Sequence, residues 1–210
     1  PQLVGFVRDF RKTDTALGFN LNVATNGDDG QSIVDTTLTN TAFRRPTLRA
    51  GVTASISAAA FDSWWGNNLD STYQVSYNMV FKTRGQTDYW VFDQPSFYPI
   101  NNRGFGNEGD SNNGYFTMSF TTFFLALNGM SLSYGSTDDM WVYLNGVLQT
   151  NALAGIHARR NVTLTLSSVT YPVGSQVRLD VFFAKSLDGF VKFDFFVAEF
   201  GPFHCFENIH

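Results

Sequence analysis

The sequence is poor in the residues that support disulfide, nucleic-acid and membrane chemistry. Its single cysteine, Cys205, allows no disulfide within the chain, and we expect an ordinary thiol there rather than a bond to another chain. Charged residues are only 15% of the chain, the net charge is −4, and basic residues form nothing longer than doublets, which argues against a nucleic-acid partner. No apolar run approaches the roughly 18 residues of a membrane-spanning helix, so we expect no membrane span.

Catalytic signatures are also scarce. The three histidines are His157, His204 and His210, and neither a G-x-S-x-G nor an H-E-x-x-H motif occurs. The stretch GFGNEG (104–109) matches a dinucleotide-binding pattern but lacks the preceding strand and the following helix that such a site needs, so it predicts a surface loop. We therefore expect a protein that is not an enzyme.

What the chain does contain is the alternation of apolar and polar residues that is typical of half-buried strands. Aromatic residues are 16% of the chain and Phe alone supplies 22, enough for a large core. Gly, Asn, Asp and Ser clusters separate the strands as turns, and AAAFDSWWGNN predicts one short helix near 58–66. These features predict an all-β fold, an antiparallel two-sheet β-sandwich, as a single domain over 1–200 with a C-terminal tail at 201–210. The predicted strands are 3–10, 52–60, 72–81, 87–93, 115–127, 130–134, 140–144, 162–169, 176–184 and 190–200.

The stretch GSTDDMWVYLNG (135–146) places two adjacent carboxylates, Asp138 and Asp139, at the entry of a strand that ends in an Asn145-Gly146 turn. Two interpretations are open. The acids form a polar strand entry in water, or they bind a hard cation such as Ca²⁺, which takes six to eight oxygens and relieves their mutual repulsion. Spacing alone favours the first interpretation.

Several stretches, in this order and spacing, resemble the fibro-slime type of PA14 domain, a family of extracellular β-sandwich modules. The similarity extends from about Val4 to Phe200, and STDDMWVYLNG is similar to the family's GDDDVWVFING. The other stretches are GFVRDF (5–10), RRPTLRAG (44–51), FDSWWGNN (61–68), SFYPINNRGFGNEG (96–109), GYFTMSF (114–120), AGIH (154–157) and GSQVRLDVFFAKSLDGF (174–190). The resemblance implies a sandwich with jelly-roll character that binds glycans through Ca²⁺, held by two consecutive aspartates and a second loop near the C-terminal strands.

Two departures from the family pattern fall on that implied site. Thr137 takes the place of a leading carboxylate, and Lys185 brings a positive charge where a cation site would want an oxygen. The metal ligands that remain as candidates are Asp138, Asp139 and Asp188. The candidate ligand-binding residues are Trp141, Tyr143, Asn145, Lys185, Ser186 and Gly189.

Aromatic side chains near the acids allow two interpretations. Trp141 and Tyr143 would stack on a sugar ring, or they belong to the second face of a strand and are covered by other side chains. Alternation also predicts that Phe123, Phe182 and Phe196 lie on outward faces, where exposed rings often mark protein contacts. Asn161-Val162-Thr163 is the one N-glycosylation sequon, which matters only in a eukaryotic secreted protein.

Two functions are therefore expected. The favoured one is a non-enzymatic, Ca²⁺-dependent carbohydrate-binding or adhesion module with a glycan as its partner. The alternative is a structural or assembly module of a surface layer, fibre or particle coat that has lost the metal site and contacts a neighbouring coat protein. Either one implies an extracellular or surface-exposed location, because the resemblance is to extracellular modules.

Overall fold

A computed structural model describes most of the chain. The described residues are 2–13, 33–39, 44–51, 56–66, 73–80, 82–84, 86–94, 96–149, 153–154, 158–185 and 193–198. The predicted tail at 201–210 lies outside these ranges.

The described residues form two antiparallel sheets, which confirms the all-β sandwich. Eleven strands are present in these ranges: β1 (Gln2–Asp9), β2 (Tyr73–Val80), β3 (Lys82–Arg84), β4 (Gln86–Gln94), β5 (Phe116–Leu125), β6 (Ser131–Ser136), β7 (Asp139–Leu144), β8 (Val147–Leu148), β9 (Arg160–Thr165), β10 (Gln176–Lys185) and β11 (Phe193–Ala198). The six-stranded sheet has the order β2-β1-β5-β10-β7-β8, and the five-stranded sheet has the order β3-β4-β11-β6-β9. Nine of the ten predicted strands correspond to an observed strand, with ends shifted by a few residues.

The inter-sheet core is built from the alternate side chains of these strands. On β10, Val177, Leu179, Val181 and Phe183 all point into this core and are at most 2% exposed, as the alternation predicts. Each such side chain contributes roughly 1.5–3 kcal/mol when it leaves water. The same face of the sheet carries Phe116 and Met118 from β5, so the two central strands supply the middle of the core.

A second apolar cluster covers the opposite face of the six-stranded sheet. We call it the outer cluster. The helix α1 (Ala58–Ser63) and the residues after it lie against β7 and β10 there, and Trp65 contacts both Trp141 and Phe182 at ring-centroid distances of 6.0 Å and 5.2 Å. The buried members are Phe10, Ile33, Val34, Leu38, Ile56, Phe61, Trp64, Trp65, Tyr115, Trp141, Tyr143, Phe182 and Ala184. The part of the six-stranded sheet formed by β7 and β10 is therefore covered on both faces.

This second layer corrects one expectation about exposed rings. Phe182 lies on the face opposite to Phe183, as alternation requires, but it is only 5% exposed because Trp65 packs on it. Phe123 is half-buried, with the Arg178 guanidinium 5.7 Å from its ring centroid. The side chain of Phe196 is outside the described residues. The alternation of apolar and polar residues shows which side chains share a face of a strand. It does not show whether another layer packs on the face that points away from the core.

Local signals explain where the helix and the short strands differ from prediction. The helix occupies 58–63, so the predicted strand at 52–60 is wrong over 58–60; residues 52–55 are not described. Ser57 caps the helix, because its Oγ accepts a hydrogen bond from the Ala60 N–H at 3.2 Å. The short strands β3 and β8 were not predicted, since two or three residues are too few to show a period.

The loop that contains GFGNEG is a surface loop, as predicted, and it runs into β5 rather than a helix. Backbone φ angles are positive at Asn102, Gly104, Gly106, Glu108 and Gly109, which is turn geometry.

Candidate functional site

The acid pair, Asp138 and Asp139, lies where the chain passes from one sheet to the other. Ser136 ends β6 of the five-stranded sheet, and Asp139 begins β7 of the six-stranded sheet. Only Thr137 and Asp138 make this connection. Ser136 Oγ donates to the carbonyl oxygen of Asp138 at 2.6 Å, and Thr137 Oγ1 donates to Asp138 Oδ2 at 3.1 Å, so the turn is held by its own hydroxyls.

Both acids are buried. The exposed fraction is 4% for Asp138 and 3% for Asp139. Neither interpretation from the sequence placed them inside the protein, and the polar strand entry in open water is wrong. A buried carboxylate is costly unless a positive charge or hydrogen-bond donors compensate it.

Lys185 brings a positive charge to the acid pair. It is the last residue of β10, and the register pairs its neighbour Ala184 with Asp139. Its Nζ lies 3.7 Å from Asp138 Oδ2, and the side chains are 0% and 6% exposed. The ammonium also lies 5.2 Å from the ring centroid of Tyr98. The structure thus brings together three of the candidate site residues, Asp138, Asp139 and Lys185.

Trp141 and Tyr143 do not offer a surface for a sugar. Both are 0% exposed, because they belong to the outer cluster beneath α1 and the segment that follows it. Phe61 and Trp65 each contact the Trp141 ring at about right angles, and Tyr143 Oη donates to the carbonyl oxygen of Asp35 at 3.1 Å. Of the two interpretations from the sequence, the covered second face of a strand is the correct one.

Asn145 is separated from the acid pair by the whole length of β7. It is exposed and occupies the predicted tight turn, with positive φ angles at Asn145 and Gly146. Its Oδ1 accepts from the Arg178 N–H at 2.9 Å, which ties the turn to β10. Six residues of strand place it about 20 Å from Asp139, so it does not belong to one site with the acids.

The remaining candidates, Asp188, Ser186 and Gly189, lie outside the described residues. Within the residues that are described, no group of three or more His, Cys, Asp or Glu side chains is arranged to hold a metal ion. The Ca²⁺ site therefore stays a prediction.

Another buried acid, Asp9, was not singled out from the sequence. It is 0% exposed at the end of β1 and accepts hydrogen bonds from the Phe105 N–H at 2.7 Å and from Asn113 Nδ2 at 2.9 Å. Burial raises the pKa of Asp9 to about 6 against these hydrogen bonds, and the Glu108 charge adds to the rise. The sequence does contain a signal for this acid. Leu3, Val7 and Asp9 share one face of the strand, so Asp9 occupies a position where the alternation predicts a core residue.

Comparison with known proteins identifies similar proteins but does not assign the chain to a family. No family model and no solved structure matches the chain. The proteins similar to it include three from Dictyostelium discoideum: it is 26% identical to Protein psiC over 138 residues, 24% to Protein psiB over 195 residues and 23% to Protein psiQ over 158 residues. These alignments cover 61%, 82% and 67% of this chain. The chain spans only 27%, 35% and 16% of those proteins, and their names state no activity.

Among the described residues, no helix combines the length and the hydropathy that crossing a bilayer requires.

Proposed function

We propose that this chain is a non-enzymatic structural or assembly module of a surface-exposed or secreted protein, in which Lys185 supplies the positive charge that a metal-dependent relative would take from a divalent ion. The observation that supports this most directly is the 3.7 Å distance between Lys185 Nζ and Asp138 Oδ2, with both side chains buried. The module is a sandwich of the kind that the resemblance to PA14 domains implies, and its partner is a neighbouring surface or coat protein.

The charges at the acid pair support a metal-independent module. Ca²⁺ would need six to eight oxygens around it and would meet the Lys185 ammonium at the same carboxylate. Like charges held a few ångströms apart in a poorly solvated site repel strongly. The lysine is part of the chain and needs no binding equilibrium, so it compensates Asp138 at any Ca²⁺ concentration.

A few apolar side chains remain in water, and an assembly role would need them to belong to one patch. Val169 and Val173 are 90% and 59% exposed in the loop between β9 and β10, and Val80 is 58% exposed on β2. Exposed apolar side chains favour contact with another protein when they are brought together.

Calcium-dependent glycan binding is the second candidate function. It is favoured by the oxygen-rich turn, where the hydroxyls of Ser136 and Thr137 accompany the two adjacent carboxylates. A glycan at this turn would have to be contacted by side chains other than Trp141 and Tyr143, which are buried.

Titration calorimetry with CaCl₂ separates the two candidates. The 210-residue chain, stripped with EDTA, is expected to give no binding heat at millimolar Ca²⁺ and the same melting temperature with and without the ion. Asp138→Asn is the control for any heat that does appear. If Ca²⁺ gives binding heat with the wild-type chain but not with Asp138→Asn, the ion binds at the acid pair. That result would overturn the metal-independent module in favour of the glycan-binding one.

Sedimentation velocity over a concentration series tests the assembly role separately. Self-association or capture of a coat partner is the expected behaviour of an assembly module. A strictly monomeric particle that binds no neighbouring surface protein would contradict this part of the proposal.

A further inference from the structure

The glycosylation sequon lies on a strand at the edge of the five-stranded sheet. Strand β9 is the last in the order β3-β4-β11-β6-β9, and in the described part of the chain it pairs only with β6. Its residues alternate between half-buried and exposed. Val162 and Leu164 pack against the inter-sheet core, whereas Asn161 and Thr163 lie on the exposed face.

The Asn161 side chain is exposed, and its amide oxygen faces the neighbouring strand β6. Asn161 is opposite Gly135 of β6, and its Oδ1 is the atom nearest to the point that a Cβ of residue 135 would occupy. Nδ2 is not among the three atoms nearest to that point. Among the residues that the structure describes, no hydrogen bond holds Nδ2, whereas Thr163 Oγ1 and Ser133 Oγ share a hydrogen bond of 2.7 Å.

We propose that Asn161 carries an N-linked glycan when the chain passes through the secretory pathway of a eukaryotic cell. This inference rests on the secreted or surface-exposed location in the proposed function, but not on how the acid pair behaves. The donor is a diphosphate-linked oligosaccharide supplied by the cell. A bond forms between Nδ2 and the anomeric carbon of the first sugar, the bond from that carbon to the diphosphate oxygen breaks, Nδ2 loses one proton, and the lipid diphosphate leaves.

The position of the glycan has a consequence for the sheet edge. An exposed edge strand presents unpaired N–H and C=O groups that pair readily with another chain. A bulky, hydrated oligosaccharide on β9 blocks the approach of a second strand. The glycan therefore directs any assembly contact to surfaces other than this edge.

The test is occupancy of Asn161 in the 210-residue chain secreted from eukaryotic cells behind a cleavable signal. Intact mass is measured before and after treatment with peptide-N-glycosidase, which converts a glycosylated Asn into Asp. We expect one occupied site that is lost in Asn161→Gln and in Thr163→Ala. Thr163→Ser keeps the sequon, and Thr165→Ala changes an exposed residue on the same face without touching the sequon, so both should retain the glycan.

Secreted wild-type chain with the mass of the bare polypeptide would overturn the proposal. So would a mass shift that persists in Asn161→Gln and Thr163→Ala. For the edge, the enzymatically deglycosylated chain is expected to self-associate at lower concentration than the glycosylated chain, and equal sedimentation of the two forms would contradict the shielding role. None of these readouts depends on Ca²⁺ binding, so failure here and failure of the metal-independent acid pair are distinguishable.

Discussion

At the scale of single residues, the acid pair is governed by the cost of burying charge. Asp138 and Lys185 are both removed from water, and an ion in such a place is tolerated only when an opposite charge is near. Such a pair is weak evidence for net stability but a strong constraint on substitution. Removal of either partner leaves the other charge inside the protein.

Lys185→Met keeps the length of the side chain and removes its charge. We expect the free energy of unfolding to fall by about 3–5 kcal/mol, because the buried Asp138 carboxylate loses a compensating cation. The measurement is urea unfolding at pH 7. Lys12→Met is the matched control, since the Lys12–Asp110 pair is short, at 2.8 Å, but 42% and 21% exposed, and it should have a much smaller effect. Equal losses in the two variants would contradict the role assigned to Lys185.

The raised pKa of Asp9 predicts the direction in which the stability of the protein changes with pH. Its pKa is raised from the ordinary 3.8 to about 6 in the folded protein, so the folded state binds the proton more tightly than the unfolded state. The stabilising contribution is complete below pH 3.8 and is lost as the pH rises through about 6, a change of at most about 3 kcal/mol. The measurement is the difference in unfolding free energy between wild type and Asp9→Asn from pH 3.5 to 7.5.

That difference should shift in favour of Asp9→Asn as the pH rises. Asp110→Asn, which changes a more exposed acid in the loop that contacts Asp9, serves as the control for general charge effects. A difference that is constant with pH, or that shifts the other way, would show that Asp9 has no raised pKa.

At the scale of elements, the approach of β6 to β9 depends on the absence of a side chain at one position. Gly135 pairs with Asn161, and a Cβ at 135 would overlap Asn161 Oδ1 and the carbonyl oxygen of Arg160. The second of these is backbone, which cannot move aside without disturbing the strand. Gly5 on β1 differs, because a Cβ there would meet Met118 Sδ and Ser119 O at 3.5 Å, an ordinary contact.

Gly135→Ala is therefore expected to destabilise the protein by about 1–3 kcal/mol through overpacking. Gly5→Ala is its matched control on another strand and should be close to neutral, because the added methyl group fits and restricts the unfolded chain. Thermal unfolding of both variants is the measurement. If Gly5→Ala proved the more damaging change, the geometry assigned to the β6–β9 pair would be incorrect.

At the scale of the whole molecule, the six-stranded sheet packs against an apolar layer on each of its two faces. Strand β10 contributes Val181 and Phe183 to the inter-sheet core and Phe182 and Ala184 to the outer cluster. Loss of packing in either layer would loosen β10, which also packs in the other layer. This shared strand favours a single cooperative unfolding transition.

Tryptophan fluorescence tests this coupling because three of the four tryptophans, Trp64, Trp65 and Trp141, belong to the outer cluster. In guanidinium chloride, their fluorescence and the far-UV circular dichroism of the strands should change at the same midpoint. Trp90→Phe removes the fourth tryptophan, so that the signal reports the outer cluster alone. A fluorescence midpoint at lower denaturant would mean that the helix layer unfolds before the sandwich.

The amino-acid sequence by itself determined nine of the longer strands, the tight turn at Asn145-Gly146 and the face of β10 that enters the core. Each of these follows from a local rule: a period of two residues, or the positive φ that Asn and Gly adopt readily. The resemblance to PA14 domains agreed with the sandwich and directed attention to the acid pair. The period and the turn signal come from residues that are near one another in the chain, whereas the resemblance rests on the order and spacing of stretches from about Val4 to Phe200.

Only the tertiary structure decided what covers the second face of β7 and that Asp138 is buried beside Lys185. Trp141 and Tyr143 are buried because α1, distant in the chain, packs on them, and Lys185 reaches the acid pair because β10 lies beside β7. Alternation cannot predict such cover, since it describes one strand and not its neighbours. The acids were therefore visible in the sequence, while their burial and their cation depended on contacts between elements that are far apart along the chain.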